Sequence, residues 1–145
     1  MTEPGPVEVS VHIAARPETV FAYFTDPTRY AQWMGNHATL EPVPGGSYRV
    51  HLRDGVQAAG EFVEIDPPRR VVFTWGWEGN DAVPPGTSTV EVTLEPDGDA
   101  TILRLVHRDL PEPAVQDHAH GWDLYLGRLV TAGAGGDAGP DPNAG

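Results

Sequence analysis

The run Val71-Val72-Phe73-Thr74-Trp75-Gly76-Trp77 constrains the fold more than any other part of the chain. Side chains of a strand alternate between its faces. Val71, Phe73, Trp75 and Trp77 therefore share one face, and Val72, Thr74 and Gly76 share the other. The first face is an aromatic wall that something must cover. A second aromatic segment, His118-Ala119-His120-Gly121-Trp122, reads as helix. An aromatic strand beneath an aromatic helix either closes a solid core or lines a cavity.

The rest of the chain supplies strands around this one. Val7, Val9, Val11 and Ile13 alternate with polar residues, the mark of a half-buried strand. Pro17 suits a first helical position, with Glu18 at the positive end of the dipole and Val20, Phe21 and Phe24 on the apolar face. Asp26-Pro27 stops that helix. A second short helix restarts at Thr28 and carries Tyr30, Trp33 and Met34. Strands are expected over 39–43, 48–53, 57–66, 70–77, 89–95 and 101–108. Turns are expected at Pro44-Gly45-Gly46, Asp54-Gly55, Pro67-Pro68 and Asp97-Gly98-Asp99, with a Pro-rich loop over 79–86. A long helix follows, with Pro113 in its first turn and a stripe of Val115, Ala119, Trp122, Leu126 and Leu129.

Strand, two short helices, a meander and a long helix make an α+β domain. A meander gives one antiparallel sheet, and twist curls it. The long C-terminal helix is the element available to cover the concave face. The expected division is a flexible N-terminus at 1–6, one domain over 7–131, and a disordered Gly/Ala/Pro tail over 132–145, whose composition buries too little apolar surface to offset chain entropy.

Composition removes several functions. A length of 145 residues fits one domain. The formal net charge of −12 argues against nucleic acid and anionic membranes as partners. The chain has no Lys for a Schiff base and no Cys for a disulfide, thiolate nucleophile or Cys-rich metal site. No cofactor is indicated. His118 and His120 stand two apart on a helix and cannot chelate together, so no metal is expected. The first residues have no signal-peptide pattern and no stretch reaches membrane-spanning length, which reads as a cytoplasmic protein.

Several local motifs extend the reading. Pro17-Glu18-Thr19-Val20-Phe21, Thr25-Asp26-Pro27, Trp33-Met34-Gly35, Pro44-Gly45-Gly46, Gly60-Glu61-Phe62-Val63-Glu64-Ile65, Pro67-Pro68-Arg69-Arg70, Phe73-Thr74-Trp75 and His118-x-x-Gly121-Trp122 occur in order between Val7 and Leu129. This arrangement resembles the SRPBCC superfamily (START-like, helix-grip fold), and within it the family of activators of heat-shock chaperone ATPase homologues. The resemblance implies a curved antiparallel sheet of about six or seven strands wrapped around the C-terminal helix, with two short helices after the first strand. It implies a wide range of functions, from lipid and sterol carriers to polyketide aromatase/cyclases, antibiotic-sequestering proteins and chaperone regulators. Chaperone-activating members owe their name partly to an additional N-terminal domain, for which a chain of 145 residues is expected to lack room.

On that fold the candidate ligand-binding residues are Phe73, Trp75 and Trp77 on one strand, Leu103, Leu105 and His107 on another, and His118 and Trp122 on the helix. Trp33 and Met34 would sit at one mouth. Mostly apolar lining with a few polar groups suits a small-molecule pocket. The alternative is a filled core, with the two histidines bonded to each other or to indole nitrogens. Glu61 shares parity with Val63 and Ile65, so it either points inward as a pocket acid or lies exposed at an edge. No catalytic constellation is complete, and no Gly-x-Ser-x-Gly elbow occurs.

Three functions fit. The first is binding or sequestration of a small hydrophobic, aromatic or polyketide-like molecule between sheet and helix. The second is a cyclase, aromatase or hydrolase using His107, His118 and Glu61 as acid/base groups. The third is a chaperone-regulating interaction module. The exposed edges of such a sheet also permit a homodimer.

Overall fold

The computed structural model describes residues 6–53, 55–139 and 141–142. Ten elements follow in order. They are β1 (Val7–Ile13), α1 (Pro17–Thr25), α2 (Pro27–Tyr30), β2 (His37–Leu40), β3 (Ser47–Arg53), β4 (Val56–Asp66), β5 (Arg70–Trp77), β6 (Ser88–Asp97), β7 (Ala100–Arg108) and α3 (Glu112–Gly133). The strands form one antiparallel sheet in the order β1-β7-β6-β5-β4-β3-β2. β2 through β7 are a simple meander. β1 closes the far side by pairing with β7, Val7 opposite His107 and Ile13 opposite Thr101. The aromatic strand β5 is therefore central, and its apolar face points at the core.

Local chemistry sets the helix ends. Pro17 and Pro27 begin α1 and α2, where a missing N–H costs nothing. The Asp26 carboxylate accepts from the N–H groups of Thr28 (2.9 Å) and Arg29 (3.3 Å), capping α2. α3 packs chiefly on β1, with Leu126 and Leu129 fully buried. Tyr48 stacks on Phe73 with ring centroids 4.2 Å apart, and the buried hydroxyls of Tyr30 and Tyr48 hydrogen-bond to each other. Burial pushes the pKa of both phenols up. No described helix is long and apolar enough to cross a membrane.

Four expectations change. α2 ends at Tyr30, so Trp33 and Met34 lie in the turn beyond it rather than on a helix. β2 begins at His37 and ends at Leu40, earlier than expected. α3 continues through Gly133, past the expected domain edge at 131. The described part of the 132–145 tail is not a free coil. The Asp141 carboxylate is buried, accepting from Gly35 N–H (2.7 Å) and from the Tyr125 hydroxyl (3.2 Å). The Arg128 guanidinium also donates to the carbonyls of Ala138 (3.0 Å) and Gly139 (2.9 Å). Two side chains thus supply the hydrogen bonds that composition alone does not reveal. Residues 1–5 of the expected N-terminal segment, Asp54 of the expected hairpin turn, and tail residues 140 and 143–145 lie outside the described residues.

Candidate functional site

The sheet and α3 do not close completely on one another. Trp75 and Trp77 at the end of β5 face Ala114, His118, Gly121 and Trp122 of α3 across a cleft of about 500 Å³. Ala114, His118 and Trp122 recur every fourth residue, with Tyr125 three further on, so one helix face supplies that wall. The Pro-rich loop over 79–86 forms a third wall. The Asn80 side chain accepts from the N–H groups of Ala82 (2.8 Å) and Val83 (3.1 Å), which folds the loop tightly. Trp77 N–H then donates to the Val83 carbonyl at 2.7 Å, fastening it to β5. Gly76 makes this approach possible, because a Cβ there would stand 2.0 Å from the Pro84 carbonyl oxygen.

A hydrogen-bond relay fixes the indole rings. Trp122 Nε1–H donates to His107 Nδ1 at 2.9 Å. Ser88 Oγ donates to the Trp75 carbonyl at 2.7 Å, so its bond with His107 Nε2 at 2.8 Å has the imidazole as donor. These bonds require the neutral imidazole with its proton on Nε2. Burial, and secondarily the neighbouring His118, push the His107 pKa down to about 3, which agrees with that form. His118 repeats the pattern at the cleft wall. Its Nε2 accepts from Trp77 Nε1–H at 3.0 Å, which leaves Nδ1 to donate to the Ala114 carbonyl at 2.8 Å. Each imidazole thus spends both nitrogens on the protein. By contrast, the buried Trp75 Nε1–H has no partner among the described residues.

The structure brings together Met34, Trp75, Trp77, His118 and Trp122 from the expected set. It places the others elsewhere. Trp33 is fully buried, its Nε1–H donating to the Tyr23 carbonyl at 3.0 Å and its ring packed on Phe24 and Tyr30. Phe73, Leu103 and Leu105 are solid core. His107 lies behind Trp122 and does not reach the cleft. Glu61 is exposed, because Phe62 takes the inward position and a bulge between Phe62 and Glu64 shifts the register. Nor do Arg49 and Arg104 pair with it, since Arg49 meets Glu78 (3.0 Å) and Arg104 meets Glu95 (4.0 Å). Among the described residues, no group of three or more His, Asp or Glu side chains converges to hold a metal.

Sequence reasoning missed Leu52, Arg53, Val83, Asn80, Asp117 and Tyr125 as lining residues. Tyr125 was within reach, since it stands three and seven residues beyond Trp122 and His118 on a helix. Leu52 continues the period-two face of Tyr48 and Val50, but that pattern does not say whether it meets a void, and the loop has no periodicity to follow.

A curved seven-stranded antiparallel sheet around a long C-terminal helix, with an apolar cleft left at one end, defines a helix-grip protein. The chain belongs to the Activator of Hsp90 ATPase homolog 1-like family, which it matches over residues 14–133. Its fold is similar to that of an AHSA1-like protein from Rhizobium etli, with 44% identity, a TM-score of 0.75, and coverage of 100% of this chain and 91% of that one. It is also similar to DynU16, a putative protein in the dynemicin biosynthetic locus, with 30% identity, a TM-score of 0.80 and 94% of this chain covered. The chain spans only 50% of DynU16. CalU16 from Micromonospora echinospora shares 27% identity over 93% of this chain and 76% of its own, with a TM-score of 0.75. No curated protein matches the chain.

Proposed function

We propose that this protein binds a small apolar molecule, without chemical conversion, in the cleft between β5, the 79–86 loop and α3. The observation that carries the reading is the cleft itself. A space of about 500 Å³ is walled by Trp75, Trp77 and Trp122, a volume and lining that suit one small aromatic guest. The hydrogen-bond economy supports binding over acid–base catalysis. His107 and His118 have no ring nitrogen left to move a substrate proton. The similarity to DynU16, a putative protein in the dynemicin biosynthetic locus, supports a small organic guest, which we take to be aromatic or polyketide-like.

Gly121 offers a clean test. It lines the cleft, and a Cβ there would meet nothing within 4 Å. Gly in a helix interior costs about 1 kcal/mol relative to Ala, so a larger residue at this site leaves folding intact or improves it. Titration with phenylnaphthylamine, a neutral apolar fluorescent probe, is expected to saturate with one equivalent. Gly121→Phe should abolish that binding while the far-UV spectrum and unfolding midpoint hold. Undiminished binding by Gly121→Phe would overturn the reading.

A further inference from the structure

We infer that the cleft selects apolar molecules bearing an anionic group, and that Arg53 is the residue that selects them. The inference rests on the binding reading above and specifies its ligand class.

The argument begins with charge. Nine arginines face 21 acidic residues in this chain, and no lysine competes for them. A guanidinium in such a chain has carboxylates at hand almost everywhere. Six arginines take one among the described residues. Of the others, Arg128 donates to the carbonyls of Trp33, Ala138 and Gly139, and Arg29 lies over the Tyr23 ring, 5.7 Å from its centroid. The Arg53 side chain alone has neither an ion pair, a hydrogen bond nor a ring contact among the described residues. It is also the arginine that stands in the cleft lining.

Its position follows from the backbone. Arg53 is the last residue of β3, where pairing with β4 shifts register between His51 and Arg53. Leu52 and Val56 beside it contribute apolar wall, and Arg53 itself is exposed at the rim. Asp117 on α3 is the other charged lining residue, and the two do not pair. A guest with an apolar body against the tryptophans can therefore place a carboxylate or sulfonate on Arg53. The planar guanidinium meets such groups with two parallel N–H bonds.

Two probes that share one ring system test this. Phenylnaphthylamine is neutral, and anilinonaphthalene sulfonate is the same skeleton with a sulfonate. Both are titrated into the whole chain and into Arg53→Gln, which removes no internal contact and should fold normally. Arg53→Gln is expected to weaken the sulfonate probe by about three- to fivefold, the range of a partly exposed ion pair, and to leave the neutral probe unchanged. Added salt should weaken only the sulfonate probe, and only in the chain that has Arg53. If Arg53→Gln shifts both probes alike, or neither, the anion preference is overturned. The cleft reading then survives, provided Gly121→Phe still blocks the neutral probe. Failure of the neutral probe to bind, or its indifference to Gly121→Phe, removes both inferences.

Discussion

The indole of Trp122 donates to Nδ1 of His107 across 2.9 Å, joining α3 to β7 in the interior behind the cleft. The bond lies where water does not compete, so it orients the ring strongly. Trp77 is held likewise by His118. Two of the three indoles that wall the cleft are therefore tethered, whereas Trp75 has no such bond and is positioned by packing, its ring centroid 5.4 Å from that of Trp122.

Acid should destabilise the fold through His107. Its folded pKa is about 3, well below the usual histidine value of 6.5. Between those values the unfolded chain binds more protons, so stability rises with pH there. The contribution is complete above about pH 6.5 and is lost as pH falls toward about 3, at a slope of up to about 1.4 kcal/mol per pH unit. Urea unfolding at several pH values measures it. His107→Gln should flatten the slope by one proton; an unchanged slope would place the effect elsewhere.

Trp122→Phe should cost more than Trp75→Phe. Both changes remove similar apolar area from buried rings. Trp122→Phe also leaves His107 Nδ1 buried without a donor, a penalty of about 1–3 kcal/mol. Trp75→Phe removes an N–H that has no partner among the described residues, which relieves a penalty. The expected gap in unfolding free energy is about 2 kcal/mol. Equal losses would mean that the imidazole–indole bond adds nothing.

The meander and the α3 covering helix were legible because period-two and period-3.6 patterns are written in consecutive residues. β5 spans 70 to 77, the ends its pattern predicts. The five candidate residues that line the cleft share the periodic faces of β5 and α3 or flank α2. Glu61 was open to misreading because parity is a chain of single steps, and one bulge reverses it; Val63 is 52% exposed where the pattern put it inside. Trp33 looked like a lining residue because a single tryptophan does not state whether it faces a void or a core. The bond between Asp141 and Gly35 spans 106 residues, and no local pattern encodes a contact of that range.

Asp141→Ala should loosen the C-terminal segment and the turn before β2 together. The carboxylate is 7% exposed and accepts from both Gly35 N–H and the Tyr125 hydroxyl. Its loss leaves the buried Gly35 N–H without its acceptor, at about 1–3 kcal/mol. Faster amide exchange at Gly35, measured by NMR alongside the unfolding midpoint, is the expected signature. Protection equal to the parent would show that the contact does not hold the turn.

Gly76→Ala tests whether the 79–86 loop is a wall of the site. The added methyl would stand 2.0 Å from the Pro84 carbonyl oxygen, and that oxygen belongs to backbone that cannot rotate away. The loop must lift, which strains the bond from Trp77 N–H to the Val83 carbonyl. Trp77 would keep its His118 bond but lose its cover, so the cleft would open on that side. Overpacking of this kind costs about 1–3 kcal/mol. Affinity for the neutral probe should fall with it, whereas Glu61→Gln, altering an exposed side chain on another strand, should leave affinity unchanged and stability within about 0.5 kcal/mol. A Gly76→Ala variant that is destabilised yet binds the probe as tightly as the parent would detach the loop from the binding surface.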